Sequence, residues 1–544
     1  MDATLRRAPG LRTLFFFLFA VTLFPLACAP RRPVTPEDTC SPACGKGQRC
    51  AGGRCVCAET DPPCRVDCSE TDPGCTAGVQ DAESCACVPL GRTRLTEIWI
   101  EPAPVVLTPG EFPFLRALAR LDDGRQVDVS RSVDWSVGDL SVASLTWPGR
   151  LEGVEVGRTT VFAASGEVVG EAPVEVVPAA PVELRGLWVT RWNYDSPADV
   201  ERIFEQAAAA GFNAIFFQVR GTADAYYDSS LEPWAERLTG TLGEDPGWDP
   251  LAVAIESGRR EGLEVHAWLN TVPAWSGATP PAESTPRHIY LAHPEWIMQD
   301  ASGTPMPLGD GYVCVSPGIP EVQDHIVAVV EDLLSKYAVD GIHLDYIRYY
   351  GPQYSHDPVS LARYEAARAA DPTTTFEDWQ RDQVTELVRR VYQRVRQHPG
   401  VRLTAAVWHN NDLDVTGSSG YRDYYQDSHR WTREGIIDAI VPMTYFRLDS
   451  DPGFAALVDD HLTNGRNGRH VYVGVHAYGR GRGAEVDTSG QAMLENIAYA
   501  RQAGADGIVV FAYPYLDESG LFGVLADGPF SEPARPPGLP WREP

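Results

Sequence analysis

Between residues 184 and 525 the chain alternates short apolar runs with helical stretches about eight times, and few folds accept that rhythm. The strand-like runs are 184–192, 212–220, 263–270, 339–347, 401–408, 437–446, 471–478 and 505–513. The helical stretches lie near 197–210, 249–261, 320–337, 375–397, 421–435, 451–465 and 489–503. Ala214-Ile215-Phe216-Phe217 and Ile508-Val509-Val510-Phe511 are continuous apolar runs, as expected of parallel strands covered on both faces. Eight such units predict a TIM (β/α)8 barrel with long loops. An open doubly wound sheet is the alternative, but no Gly-rich nucleotide turn follows the first run. In 375–397, Val384, Leu387, Val388, Val391 and Val395 recur at helical spacing, which reads as an outer helix with a solvated face.

The start of the chain reads as a targeting device. Arg6, Arg7 and Arg12 lead into the apolar run 14–26, which is too short to span a bilayer. Residues 1–27 therefore read as a lipoprotein-type signal, in which Ala27 before Cys28 resembles the bacterial lipobox. Cys28 is the expected lipidation site, although Pro25 stands where that pattern usually has Leu. A plain signal peptide cleaved nearby is the alternative. The lipid reading makes this an exported protein anchored in the cell envelope, at the outer membrane, with 28–39 as a linker. Ten cysteines then crowd into 40–90 among Gly, Pro and Asp, and the even number in an exported chain implies a disulfide framework. Zinc is the competing reading, disfavoured because the segment has no His. Cys314 stands apart and reads as a buried thiol.

Residues 95–178 change to short β-rich runs separated by turn signals such as Asp122-Asp123-Gly124 and Pro148-Gly149. The periodicity predicts a β-sandwich of immunoglobulin type. The segments "IEPAPVVLTPGE", "DGRQVDVSRSVDWSV" and "GRLEGVEVGRTTVFAA" also resemble the bacterial Ig-like domains of invasin and intimin type. That resemblance implies a spacer or presenting module.

Composition narrows the partners. With 74 acidic and 46 basic side chains the formal charge is −28, so nucleic acid and anionic head groups are poor partners for the protein surface. In a barrel of this kind the chemistry sits at the C-terminal ends of the strands. Strand one ends in Arg191-Trp192-Asn193, and strand two in Gln218-Val219-Arg220, with Asp224 and Tyr227 beyond. Strand three places His266, Trp268 and Asn270 on alternate positions, hence on one face. Strand four carries His343 and Asp345, followed by Tyr346 and Arg348. Strand five ends in Trp408-His409-Asn410 and strand six in Met443-Thr444-Tyr445. Strand seven ends with His476 and Tyr478, and strand eight with Tyr513 and Tyr515. Aromatic planes interleaved with Asn, His, Arg and carboxylates suit a sugar chain, whose C–H faces stack on rings while its hydroxyls hydrogen-bond.

Taken in order, "ELRGLWVTRW", "FNAIFFQVRGTADAYYDSSLEPWAERLTG", "LEVHAWLN", "HPEWIMQDASG", "SPGIPEVQDHI", "VDGIHLDYIRYY" and "VPMTYF" resemble the bacterial glycosyl hydrolase-like family ten across 184–525. The resemblance implies a TIM-barrel glycosidase, with peptidoglycan strands as its substrate class. The run "DGIHLDYI" is also similar to the chitinase signature of glycoside hydrolase family eighteen. Here His343 and Ile347 replace that signature's first and last acidic residues, so its substrate-assisted mechanism is not expected.

Asp345 is the expected catalytic acid, because a carboxyl in a desolvated barrel mouth holds its proton more tightly. Capping a loop or pairing with Arg348 is the duller alternative. Glycoside hydrolysis ordinarily needs a second carboxylate. Asp224 is the first choice, with an Asx turn as its alternative role; Asp412, Asp449 and Asp517 are the others. Arg191, Arg220 and Arg348 are suited to carboxylate-bearing sugars such as muramic acid, or to neutralising a neighbouring acid. Trp192, Gln218, Tyr227, His266, Trp268, Asn270, His343, Trp408, Tyr445, His476 and Tyr513 complete the expected substrate-binding set. No metal-binding run appears, so no metal and no cofactor are expected. The Gly479-Arg480-Gly481-Arg482-Gly483 loop fits neither nucleotide-loop spacing and reads as a mobile substrate-side loop. A barrel that binds glycan without cutting it, or an adhesin acting through its Ig-like part, are the alternative functions. Residues 526–544 form a Pro-rich tail, of which Pro529 to Pro544 reads as disordered.

Overall fold

The computed structural model describes residues 94–448, 450, 452–477 and 489–542, together with the backbone of 48–51, 54–57, 78–80 and 87–89. Cys28, the side chains and pairing of the cysteine-rich segment, Asp449, Tyr478 and the 479–483 loop lie outside the described residues. The chain divides into two compact units, 1–179 and 180–544.

In the first unit, two sheets share one apolar core. The strands Val105–Leu107, Val168–Val176, Gly157–Ser165 and Asp134–Val137 form one sheet in that order. Leu95–Glu101, Arg116–Leu121 and Gln126–Asp128 form the other, and Ala143–Trp147 with Arg150–Gly153 makes a separate hairpin. Alternation decides what is buried: Ala117, Ala119 and Leu121 face inward from one sheet, and Ala172, Val174 and Val176 from the other.

In the second unit, eight parallel strands close into a barrel: β1 (Leu184–Val189), β2 (Ala214–Arg220), β3 (Glu264–Asn270), β4 (Gly341–Asp345), β5 (Arg402–Val407), β6 (Ala439–Pro442), β7 (His470–His476) and β8 (Gly507–Phe511). Every strand is buried on both faces, which is why each read as an apolar run. Odd and even positions serve different layers. Leu187, Val189, Ile215 and Phe217 pack toward the helices, whereas Trp188, Phe216, Trp268 and Val509 fill the barrel interior. Helix 197–209 shows how the outer elements start: Ser196 accepts from the Asp199 N–H, Pro197 opens the first turn, and Val200, Ile203, Phe204 and Ala207 form its buried stripe.

Four features depart from the sequence reading. The stretch 421–435 is two short helices, Gly420–Asp423 and Ser428–Arg433, because the second is capped separately by Asp427. A hairpin of Pro273–Gly277 with Gly309–Cys314, and the helix Pro358–Ala370, occupy segments that read as loop. The Pro-rich end is not disordered over 526–542, and the expectation of a disordered tail is corrected. Arg185 Nη1 donates to Glu532 O at 2.6 Å, and Val182 bridges Arg535. Trp541 Nε1 donates to Asp438 Oδ1 at 2.8 Å. Proline removes backbone donors, and the remaining polar groups find partners across the N-terminal face of the barrel.

Candidate active site

The opposite, C-terminal face gathers most of the polar strand ends. Asp345 closes β4, with Asn270 as its neighbour across the ladder. Gln218 Nε2 donates to Asn270 Oδ1 at 3.1 Å, and Gln218 Oε1 accepts from the Arg191 N–H at 3.1 Å. This row ties β1, β2 and β3 together beside the β4 carboxyl. Arg191 crosses so close above Gly221 that a Cβ there would lie 2.7 Å from Nε, so any larger residue at that point would displace the Arg191 side chain.

Burial pushes the Asp345 carboxyl above the ordinary carboxylate range, and Arg348, the Tyr346 N–H and Trp268 offset this only in part. Tyr346 N donates to Asp345 Oδ1 at 2.6 Å from a backbone held in the left-handed region, φ 49°. A tyrosine pays about 1–3 kcal/mol for such a conformation, and strain of this kind gathers at functional sites. Arg348 Nη1 stands 3.6 Å from Asp345 Oδ1. Neither that nitrogen nor Trp268 Nε1 closes a well-aligned hydrogen bond among the described residues, although both are buried. Both N–H groups face the Asp345 carboxyl and stabilise its charged form, which limits how far burial raises it.

Rings surround this centre. The Arg348 guanidinium lies 4.3 Å from the Tyr346 ring centroid and 5.2 Å from that of Trp408. Tyr445 stacks on Phe511 at 5.2 Å and packs against His476 at 5.3 Å. Burial, with the Asp345 charge nearby, raises the Tyr445 phenol well above its ordinary value, so it remains a donor. Trp192 is 59% exposed at the rim.

Several expected site residues lie elsewhere. His343 sits one pleat below Asp345, where it is fully buried. Its Nε2 accepts from Trp188 Nε1 at 3.1 Å, its Nδ1 meets Thr404 Oγ1 at 2.8 Å, and burial holds it well below the ordinary histidine range. His266 lies deeper, 3.1 Å from Glu264. Both point inward as the alternation predicted, but into the packed interior below the mouth, so neither is positioned to bind substrate. Arg220 is locked by Glu232, with Nη2 to Oε1 at 2.7 Å and both side chains buried. Burial alone would raise the Glu232 carboxyl, but Arg220 and His325 hold it at about 2. Tyr227 packs edge-on to Tyr337 in the outer layer. Tyr513 bonds Gln206 of helix 197–209, because β8 ends at Phe511 and a helix beginning at Tyr513 turns that side chain outward. Asp517 lies with Arg202 on the same outer side, and Asp412 pairs with Arg422 at 3.4 Å. Asp224 accepts from the N–H of Thr222, two residues before it, at 2.7 Å, which is the reverse of an Asx turn, and its charge is felt by Arg191.

Tyr312, Tyr424 and Phe511 were not singled out from the sequence. Tyr312 arrives on the unforeseen hairpin, Tyr424 sits at the break between the two short helices, and Phe511 was legible as the last inward position of β8. Tyr312 Oη is 3.3 Å from Arg191 Nη2, and its ring meets Tyr346 at 5.1 Å.

Residues 183–478 match the family described as Glycosyl hydrolase-like 10. Glycosyl hydrolase YngK of Bacillus subtilis (strain 168) is 30% identical over 412 residues, 71% of this chain and 79% of that protein. Glycosyl hydrolase DigH of Escherichia coli (strain K12) is 30% identical over 315 residues, 51% of this chain and 69% of that protein. Among solved structures, the glycoside hydrolase domain of PgaB from Bordetella bronchiseptica aligns at TM-score 0.47 and 17% identity, over 63% of this chain and 99% of that one. The strands β1 to β7 and the Asp345 end of β4 fall within the matched stretch, with β8 beyond it, and the chain belongs to the glycosyl hydrolase-like 10 family, as a glycoside hydrolase.

Proposed function

We propose that this enzyme cleaves the glycan strands of peptidoglycan outside the cytoplasm, held to the envelope by a lipid on Cys28, with its β-rich unit serving as an Ig-like spacer. The observation that carries the chemistry is the Asp345 carboxyl, buried at the end of β4 between Arg348 and Trp268, with its pKa raised by burial. Protonated Asp345 donates to the glycosidic oxygen as the bond breaks, and a second carboxylate, proposed as Asp224, supplies the base or nucleophile. The phenols and indoles around Asp345 offer faces to the sugar rings. Arg191 and Arg348 offer donors suited to an acidic substituent, whereas Arg220 is already committed to Glu232.

The test is release of new reducing ends, read by mass spectrometry, from peptidoglycan strands with and without stem peptides. Asp345→Asn is expected to lower the rate by about 10²–10⁴-fold. Asp224→Asn in the same assay examines the second carboxylate. No release by the unaltered protein, with strands still retained on it, would replace the hydrolase reading by glycan binding alone.

A further inference from the structure

From the way rings and guanidinium groups follow one another across the barrel mouth, we infer that the site is an open groove for a polymer, cut at internal bonds, and that Trp192 is its outermost sugar platform. This inference rests on the glycan-cleaving function proposed above and concerns how the chain is held.

The contacts form one unbroken line. Trp192 lies 4.7 Å from the Arg191 guanidinium, and Arg191 reaches Tyr312 Oη at 3.3 Å. Tyr312 meets Tyr346 edge-on at 5.1 Å, and Tyr346 lies under Arg348 at 4.3 Å. Arg348 continues to Trp408 at 5.2 Å, and Trp408 to Tyr424 at 4.3 Å. Trp192 follows β1, and Trp408 follows β5. In a closed eight-stranded barrel those strands are diametrically opposite, four steps apart in either direction. The line therefore joins opposite rims of the mouth by way of the hairpin after β3 and the end of β4, with Asp345 beside its middle, next to Tyr346 and Arg348. A pocket for chain ends would be walled on one side of the acid, whereas here the platforms continue on both sides.

Trp192 is the end of the line that has no packing role to explain it. It is 59% exposed, so most of its apolar surface remains in water. It is nevertheless held in place. The Arg237 guanidinium lies 5.1 Å from its ring, and Arg237 Nε and Nη2 donate to the Arg191 and Trp192 carbonyls at 3.0 and 3.2 Å. Two cations near one exposed indole, one of them bonded to its own backbone, fix the ring before any ligand arrives, which reduces the entropy lost on binding. Rigid, exposed aromatic faces are what a sugar ring needs from a distal subsite.

The experiment uses the full-length protein and peptidoglycan strands of two size classes, one too short to reach from Asp345 to Trp192 and one long enough to cross the mouth. Early in the reaction, long strands are expected to give products of mixed intermediate length. In Trp192→Ala, the KM for long strands relative to short ones is expected to rise about tenfold with kcat retained, the signature of lost uniform binding. Trp192→Phe should restore most of the difference. Early products consisting only of terminal units, or an equal KM change on both size classes, would overturn the groove. If the unaltered protein releases no reducing ends, the hydrolytic function fails, and retention of the two size classes then decides the groove. Tighter binding of long strands that depends on Trp192 sustains it, and retention independent of length overturns it.

Discussion

Asp345 exerts opposite effects on catalysis and stability. Its folded pKa is raised by burial, so the native state binds this proton more tightly than the unfolded chain does. Its contribution to stability is complete below the ordinary carboxylate range and is lost as pH rises through the raised value. Asp345→Asn keeps the shape of the protonated acid without its titration. The variant should therefore unfold at a higher denaturant concentration than the unaltered protein at pH 7, with the gap closing as the pH falls toward 4. A variant less stable at pH 7 would mean that the ionised carboxyl makes net favourable bonds. Glu232 carries the other sign: held at about 2, it stabilises the fold above the ordinary range and loses that contribution as pH falls. Residue type alone did not foretell these fates. Arg191, Arg220 and Arg348 all stood at or just beyond strand ends, yet Arg220 is locked 2.7 Å from Glu232, twelve positions later, Arg348 stands 3.6 Å from Asp345, and Arg191 reaches the Tyr312 hydroxyl.

At the scale of elements, the strands were legible because a strand covered on both faces must be apolar throughout, and the observed bounds fall inside the expected runs except at β7, which begins one residue earlier, at His470. The segments beyond the strand ends were harder to read. The run 505–513 extends two residues past β8, and that overrun placed Tyr513 in the mouth when a helix turns it away. The final segment is a clearer case, since proline content there reads as disorder while the residues strap the N-terminal face. Asp438, 1% exposed, receives Trp541 Nε1 and Arg542 Nε at 2.8 and 2.9 Å. Truncation after residue 528 should cost about 3–5 kcal/mol, because it leaves a buried charge without its cationic partner. The shift in urea midpoint would measure this. Specific activity of the folded fraction should be kept, because the strap lies at the end of the barrel opposite Asp345.

At the scale of the whole molecule, each of the two units has an apolar core of its own. A chain beginning near Ala180 should therefore fold alone and cleave soluble strands at a rate within about twofold of the complete protein, as cores that share no residues behave independently. A barrel that is folded by circular dichroism yet inactive would show that the first unit contributes to the site. Charge, the apolar rhythm and the polar strand ends were enough, from sequence alone, to determine the barrel and to lead to the expectation of chemistry at its C-terminal face with a sugar as ligand. These are local or periodic properties, and parity along a strand carries them into three dimensions. Only the tertiary structure decided which inward histidines are core and which partner each arginine takes, and it alone brought Tyr312 and Tyr346 together. Those outcomes depend on depth along the barrel axis and on partners distant in sequence, and neither leaves a period in the chain.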